Sequence, residues 1–264
     1  MTKRNDPMSP THRRAAPRLL TLLLDYDGTL VPIVATPDLA RPDAPLLALL
    51  TALAADPTTN LHIVSGRSIA DLQQWFWHLN ATLWAEHGAA CRPPGASGWE
   101  RRVESHAEWL RRAEAFFDRL CASLPGTLVE QKATSVAWHY RMAAPPPSAI
   151  ELANIRRRLA EMLADAPVEA VDGRRVIEVR ARGVSKAAVA RDVSGRAAAG
   201  HLIVAIGDDQ TDEEMFAALP RSAVTMRVGS SDTIARFRLP DPGAVRALLG
   251  RLRAAASART EAMI

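Results

Sequence analysis

Cysteine is scarce: only Cys91 and Cys121 occur in 264 residues. Two thiols give no Cys/His spacing for a structural metal, and they suit a reducing compartment. Long apolar runs are also absent, since none approaches the roughly 20 residues that a membrane-spanning helix needs. The opening stretch MTKRNDPMSPTHRRAAPR lacks the apolar core of a secretory signal. Aromatics are few, and no basic stripe interleaves with them, which argues against nucleic-acid binding despite a net charge of +4. That charge is local. Lys3, Arg4, Arg13, Arg14 and Arg18 stand against Asp6 alone in the first 18 residues and account for the whole excess. Residues 1–17 are therefore expected to be a basic disordered tail on a nearly neutral body. These absences leave a cytoplasmic enzyme as the default, with neither nucleic acid nor membrane as partner; separately, a monomer acting on a small molecule is the expectation.

What is present is an alternation of strands and helices. The length allows one large or two moderate domains with a substantial core. RLLTLLLDYDGTL reads as a buried parallel strand stopped by Asp and Gly. PDAPLLALLTALAAD reads as a helix with Pro42 and Pro45 near its start, and NLHIVSGRS as a second strand ending in Ser-Gly. SIADLQQWFWHL reads as a helix opened by a Ser68/Asp71 capping box, and ATLWAEHGA as a third strand and turn. Trp75, Phe76 and Trp77 are expected to pack, and His87 is left open between a site and a structural role.

The pattern changes near Gly98. The helix ESHAEWLRRAEAFFDRLCASL precedes a hairpin, TLVEQKATSVAWHYRM, in which Tyr140 is expected to be core. The helix ELANIRRRLAEMLAD then precedes VEAVDGRRVIEVRA, where Asp172-Gly173 signals a hairpin turn. After Gly183 the strand–helix alternation returns. The expected architecture is an α/β, Rossmann-like core with a mostly parallel sheet, split by an inserted α+β cap (helix-hairpin-helix-hairpin). Residues 18–101 and 183–264 form the core and 102–182 the cap.

In open parallel sheets, ligands bind outside the carboxyl ends of the strands. Three polar clusters stand there: Asp25 and Asp27; Ser65, Gly66 and Arg67; and Asp208, Asp209 and Asp212. Lys186 begins a helix between the second and third. Crowded carboxylates need a cation or shared protons to coexist, and oxygen-only ligands suit Mg²⁺. A metal and a lysine would neutralise a phosphate enough for an aspartate to attack it, giving an aspartyl-phosphate for water to hydrolyse. A second carboxylate could protonate the leaving alkoxide and then activate that water.

DYDGTL, VSGRS, the helix-borne lysine of GVSK, and GDDQTDEEMF resemble, in order, the four motifs of the haloacid dehalogenase-like phosphatases. AEHGA, EQKATSVAWHYR and VIEVRARGVSK make the chain most similar, over about residues 18–252, to the trehalose-6-phosphate phosphatase family. The resemblance implies Asp25 as nucleophile and metal ligand, and Asp27 as general acid and base with its carbonyl on Mg²⁺. It implies Ser65 and Lys186 on the phosphate, Asp208 on the metal, and Asp209 and Asp212 in support. Glu130, Lys132, His139, Arg141 and Glu178 would meet the sugar. The implied reaction is hydrolysis of trehalose 6-phosphate to trehalose and phosphate, the last step of trehalose biosynthesis. A phosphatase for another sugar phosphate (sucrose, mannosyl or glucosyl) and a catalytically silent sugar-phosphate sensor are the alternatives. EQK in place of a doubly charged triplet, GVSKA without a following Gly, and no proline after Arg180 depart from the family pattern. These bear on sugar affinity more than on phosphatase chemistry. Independently of the resemblance, the cap residues could be an exposed polar hairpin face, with Glu178 pairing only with Arg180.

Overall fold

Strand β1 (Leu20–Leu24) is leucine-rich because it is covered on both faces: Leu22 and Leu24 enter one core cluster and Leu23 another, with Thr21 the one polar residue, also buried. The computed structural model describes residues 20–34, 36, 39–103, 107–173, 175–197 and 200–261, so the basic segment 1–17 lies outside the described residues. After β1 come α1 (Ala44–Ala54), β2 (Thr59–Val64), α2 (Ile69–Phe76), β3 (Thr82–Ala85), β4 (Ala90–Arg92) and β5 (Glu100–Arg101). The chain then builds α3 (Ala107–Ser123), β6 (Leu128–Gln131), β7 (Ser135–His139), α4 (Ala149–Met162), β8 (Val168–Gly173) and β9 (Val176–Ala181). It closes with α5 (Lys186–Arg196), β10 (Leu202–Gly207), α6 (Gln210–Ala218), β11 (Val224–Val228), β12 (Phe237–Leu239) and α7 (Pro242–Glu261).

The large sheet has the order β12-β11-β10-β1-β2-β3-β4-β5. It is parallel from β12 to β3 and antiparallel across β4 and β5. Leucines of α1, the aromatics of α2 and Val245 and Leu249 of α7 cover one face, and α5 and α6 cover the other. Caps set the helix starts. Asp43 accepts from Leu46 N ahead of Pro45, and Ser68 accepts from Asp71 N, with the Asp71 carboxylate taking the Ser68 hydroxyl. The chain thus forms an α/β architecture with a mostly parallel central sheet.

The second sheet, β6-β7-β9-β8, is wholly antiparallel. Its period of two sorts the side chains. Val136, Trp138, Ile177 and Val179 pack with Trp109, Phe116, Phe117 and Leu159 of α3 and α4, and Tyr140 joins that core. Glu130, Ala137 and Glu178 lie opposite one another on the remaining face. Among the described residues, no helix is long and apolar enough to cross a membrane.

Two local expectations need correction, and three short strands stand where none was expected. The β8–β9 turn lies two residues beyond Asp172-Gly173: Gly173 pairs with Val176, and Arg175 takes the positive φ of 64°. Trp77 does not pack. It follows the last residue of α2 and is 63% exposed, whereas Trp75 and Phe76 are buried. β4, β5 and β12 extend the sheet with two or three residues each, too short to show a period.

Candidate active site

The carboxyl edge of the large sheet faces the polar side of the small one, and a cleft runs between them. The end of β1 supplies Asp25 and Asp27, and the loop after β10 supplies Asp208. The first turns of α5 and α6 supply Lys186 and Asp212. Lys186 Nζ donates to Asp25 Oδ1 at 2.5 Å and to Asp212 Oδ1 at 2.8 Å, and all three side chains are buried. Backbone amides of Asp208 and Asp209, both at 3.0 Å, fix the other Asp212 oxygen. Asp208 lies against Gly28, where a Cβ would come within 2.2 Å of Oδ2; the φ of 81° there also favours glycine.

One ammonium does not offset this many acids. Burial, and then the charge of Asp212, push the Asp25 carboxyl well above its ordinary range against the pull of Lys186. Burial and Asp212 push Asp208 up to about 7. Lys186 is held charged, because Asp212 and Asp25 outweigh the burial that opposes its ammonium. Asp25 Oδ2 is buried with no hydrogen-bond partner among the described residues, and Asp25, Asp208 and Asp212 each offer an oxygen within 4.8 Å of the others. An orphaned oxygen, surplus negative charge and an all-oxygen donor set fit a hard divalent cation. Asp209 stands outside that trio. It caps α6, accepting from Gln210 N at 2.8 Å.

Asp27 faces a different partner. Arg67 grips it through two bonds, Nε to Oδ2 at 2.7 Å and Nη2 to Oδ1 at 2.5 Å, and rests over the Trp75 ring. Ser65 is fully buried and its Oγ accepts from Arg67 N at 3.1 Å. Sequence reasoning gave Arg67 no role, although an arginine after Ser-Gly at a strand end was the available signal.

Across the cleft, Glu178 is 7% exposed and does not meet Arg180. Its Oε1 accepts from Lys132 Nζ at 3.0 Å and Ser135 Oγ at 2.6 Å, and its Oε2 meets His87 Nε2 at 2.9 Å. Burial alone would raise its pKa, but Lys132 and His87 hold it well below the carboxylate range. Arg180 instead bonds Glu169 and reaches Glu214 on α6. His139 meets Glu130 at 2.8 Å, and Arg141 donates to Val34 O at 2.6 Å. Glu130, Lys132, His139, Arg141 and Glu178 all line the cleft with Asp25, Asp27, Asp208 and Lys186.

A larger depression of about 740 Å³ lies at the opposite edge of the strands, around His62, Trp84 and Arg102. Asp192 there is already paired with both Arg102 and Arg196. The charge imbalance belongs to the first cleft.

The trehalose-phosphatase family model matches residues 23–242. A bifunctional trehalose-6-phosphate synthase/phosphatase from Thermoproteus tenax is 38% identical over 94% of this chain and 33% of its own length. The chain spans about a third of the length of the curated relatives it matches. The C-terminal domain of C. albicans trehalose-6-phosphate phosphatase superposes with a TM-score of 0.82 at 28% identity, covering 90% of this chain and 93% of that one. A haloacid dehalogenase-like hydrolase from Bacteroides thetaiotaomicron shares the fold, with a TM-score of 0.62 at 12% identity over 89% and 98% of the two chains. The chain belongs to the trehalose-phosphatase family and has the haloacid dehalogenase-like fold.

Proposed function

We propose, from that membership and this site, that the chain is a Mg²⁺-dependent phosphatase hydrolysing trehalose 6-phosphate to trehalose and phosphate. The observation that carries the chemistry is the Asp25 carboxylate at the cleft, with one oxygen on Lys186 and the other without a partner among the described residues. Its oxygen attacks phosphorus, the bond from phosphorus to the sugar oxygen breaks, and an aspartyl-phosphate forms. Lys186 neutralises phosphate charge, and Ser65 keeps a hydroxyl proton to donate, since its oxygen accepts from Arg67 N. The Asp27 side chain is 37% exposed and is the carboxylate placed to hand a proton to the leaving alkoxide and then take one from water. For that it must exchange the Arg67 fork for the substrate. Mg²⁺ held by Asp25 and Asp208, with the Asp27 carbonyl, would supply charge neutralisation for the attack, and Asp209 and Asp212 would support it.

Residues 102–182 are read as the cap, and its polar face as the sugar side. Donor and acceptor side chains on strands of a closing sheet match a sugar rich in hydroxyls. Glu178 and Lys132 are already committed to each other. Their part is to present a fixed polar wall, with Glu130, His139 and Arg141 nearer to direct contact.

The deciding measurement is phosphate release from trehalose 6-phosphate with and without Mg²⁺, beside sucrose, mannose and glucose phosphates. We expect release that needs Mg²⁺ and favours the trehalose ester. Equal rates on all sugars would replace the specific reading with a general sugar phosphatase. Inactivity on every ester would favour a silent sensor.

A further inference from the structure

We propose that the turn Glu86–Gly88 is a latch that registers the cap against the phosphate-side loop, with Glu86 and His87 as positioning residues for closure over the sugar. The proposal rests on the reading of the cleft as that of a capped phosphatase.

Glu86 and His87 both take positive φ, 49° and 58°, although neither is glycine. Such backbone is strained and persists only where its surroundings over-determine it. Here two sets of contacts do so. On the core side, the Glu86 amide donates to Arg67 O and the His87 amide to Ser65 O, each at 2.9 Å. On the cap side, the Glu86 carboxylate accepts from Ala133 N at 3.3 Å, Thr134 N at 2.8 Å and Thr134 Oγ1 at 2.6 Å, while His87 reaches Glu178. Glu86 is only 2% exposed, so its charge is withdrawn from water in favour of those cap donors.

One strained turn thus binds the Ser65–Arg67 loop through its backbone and the cap through its side chains. The cap segment it grips is also the one that organises the sugar face, since Lys132 and Ser135 flank it and both hold Glu178. Gly66 completes the device: a Cβ there would come within 2.6 Å of His87 Nε2 and push the ring off Glu178. With the cap lifted, the Glu86 carboxylate would lose every one of these donors. The latch is therefore made only in the closed state, and its worth falls on substrates that need closure.

The test compares Glu86→Gln on the core side, Thr134→Val on the cap side, and the double variant. Trehalose 6-phosphate and p-nitrophenyl phosphate are the substrates, with Mg²⁺ present. Each single variant should lower kcat/KM for the sugar ester by about a hundredfold, as a misplaced wall does, while the small ester changes little. The double variant should be no worse than either single. Parallel loss on both esters, no loss on either, or additive losses would overturn the latch. If Glu86→Gln does not fold, Thr134→Val alone decides between selective and parallel loss. Hydrogen exchange gives a reading that needs no turnover: Thr134→Val should speed exchange across residues 132–135, and unchanged exchange would overturn the latch. A wild type inactive on both esters would sink the phosphatase reading and leave the latch to that exchange measurement.

Discussion

A carboxylate that attacks phosphorus must be charged, yet burial and the Asp212 charge both press Asp25 toward its neutral form. The site is electrostatically frustrated until a cation arrives, as functional sites often are. Asp25→Asn should therefore separate two quantities. Turnover should fall by at least about 10⁴-fold, because an amide cannot form the phosphorylated intermediate. Thermal stability without metal should hold or rise, because one buried acid is gone while Lys186 keeps Asp212. A large drop in Tm, or near-normal rates, would refute the reading. Asp27→Asn should also cripple turnover of alkyl phosphates, and less so of nitrophenyl phosphate, whose leaving group needs no proton; equal losses would count against its acid role. The aspartates at the end of β1 could be seen in the sequence because the other polar clusters, at Ser65–Arg67 and Asp208–Asp212, also follow apolar strand-like runs. The Arg67 fork on Asp27 could not, because it joins residues 40 apart in sequence through a strand order that only the fold supplies.

The small sheet places its function in alternation. One side of β7 and β9 is Val136, Trp138, Ile177 and Val179 on helices, and the other presents Ala137 and Glu178 to the cleft. Removing Glu178 would strand a buried ammonium and a histidine on that face. Glu178→Ala should cost about 3–5 kcal/mol of stability by urea unfolding, as breaking a buried ion pair does. The pH dependence has a definite sign. The folded pKa of Glu178 lies below its ordinary 4.5, so its contribution is complete above that value and is lost as pH falls through the folded pKa. Glu178→Gln should lack that acid-side loss, and an unchanged acid slope would remove Glu178 as its source. The elements that carried a clear period could be read from sequence: the strand–helix alternation, the two hairpins and the change of class between them. The turn beyond Asp172-Gly173 could not. Pairing of Gly173 with Val176 extends the ladder past the expected dipeptide and gives the positive φ to an arginine. Strands as short as β4, β5 and β12 carry too few residues for any period to show.

Asp25, Asp208 and Asp212 meet only because β10 lies beside β1 and α6 follows it, so the acidic site exists in the folded molecule alone. A cation bound there stabilises the whole fold by linkage, about 2.7 kcal/mol when Mg²⁺ is about a hundredfold above its Kd, or several degrees in Tm. Protons compete for the same oxygens. Asp208 is raised from 3.8 to about 7, so the metal-free fold holds protons that the unfolded chain has shed between those values. The Asp208 contribution to metal-free stability therefore falls as pH rises through that window. Mg²⁺ gains in the opposite direction. Each proton it must displace below the raised pKa weakens it by about 1.4 kcal/mol per pH unit. The increase in Tm caused by Mg²⁺ should thus be clear near about pH 8 and small near about pH 6, and Asp208→Asn should flatten that difference. Thermal denaturation with Mg²⁺ and with a chelator, at both pH values and in both proteins, measures all of it. An equal Mg²⁺ shift at the two pH values would show that the cation binds away from these carboxylates. A pH-dependent shift that survives in Asp208→Asn would move the titrating group elsewhere in the trio.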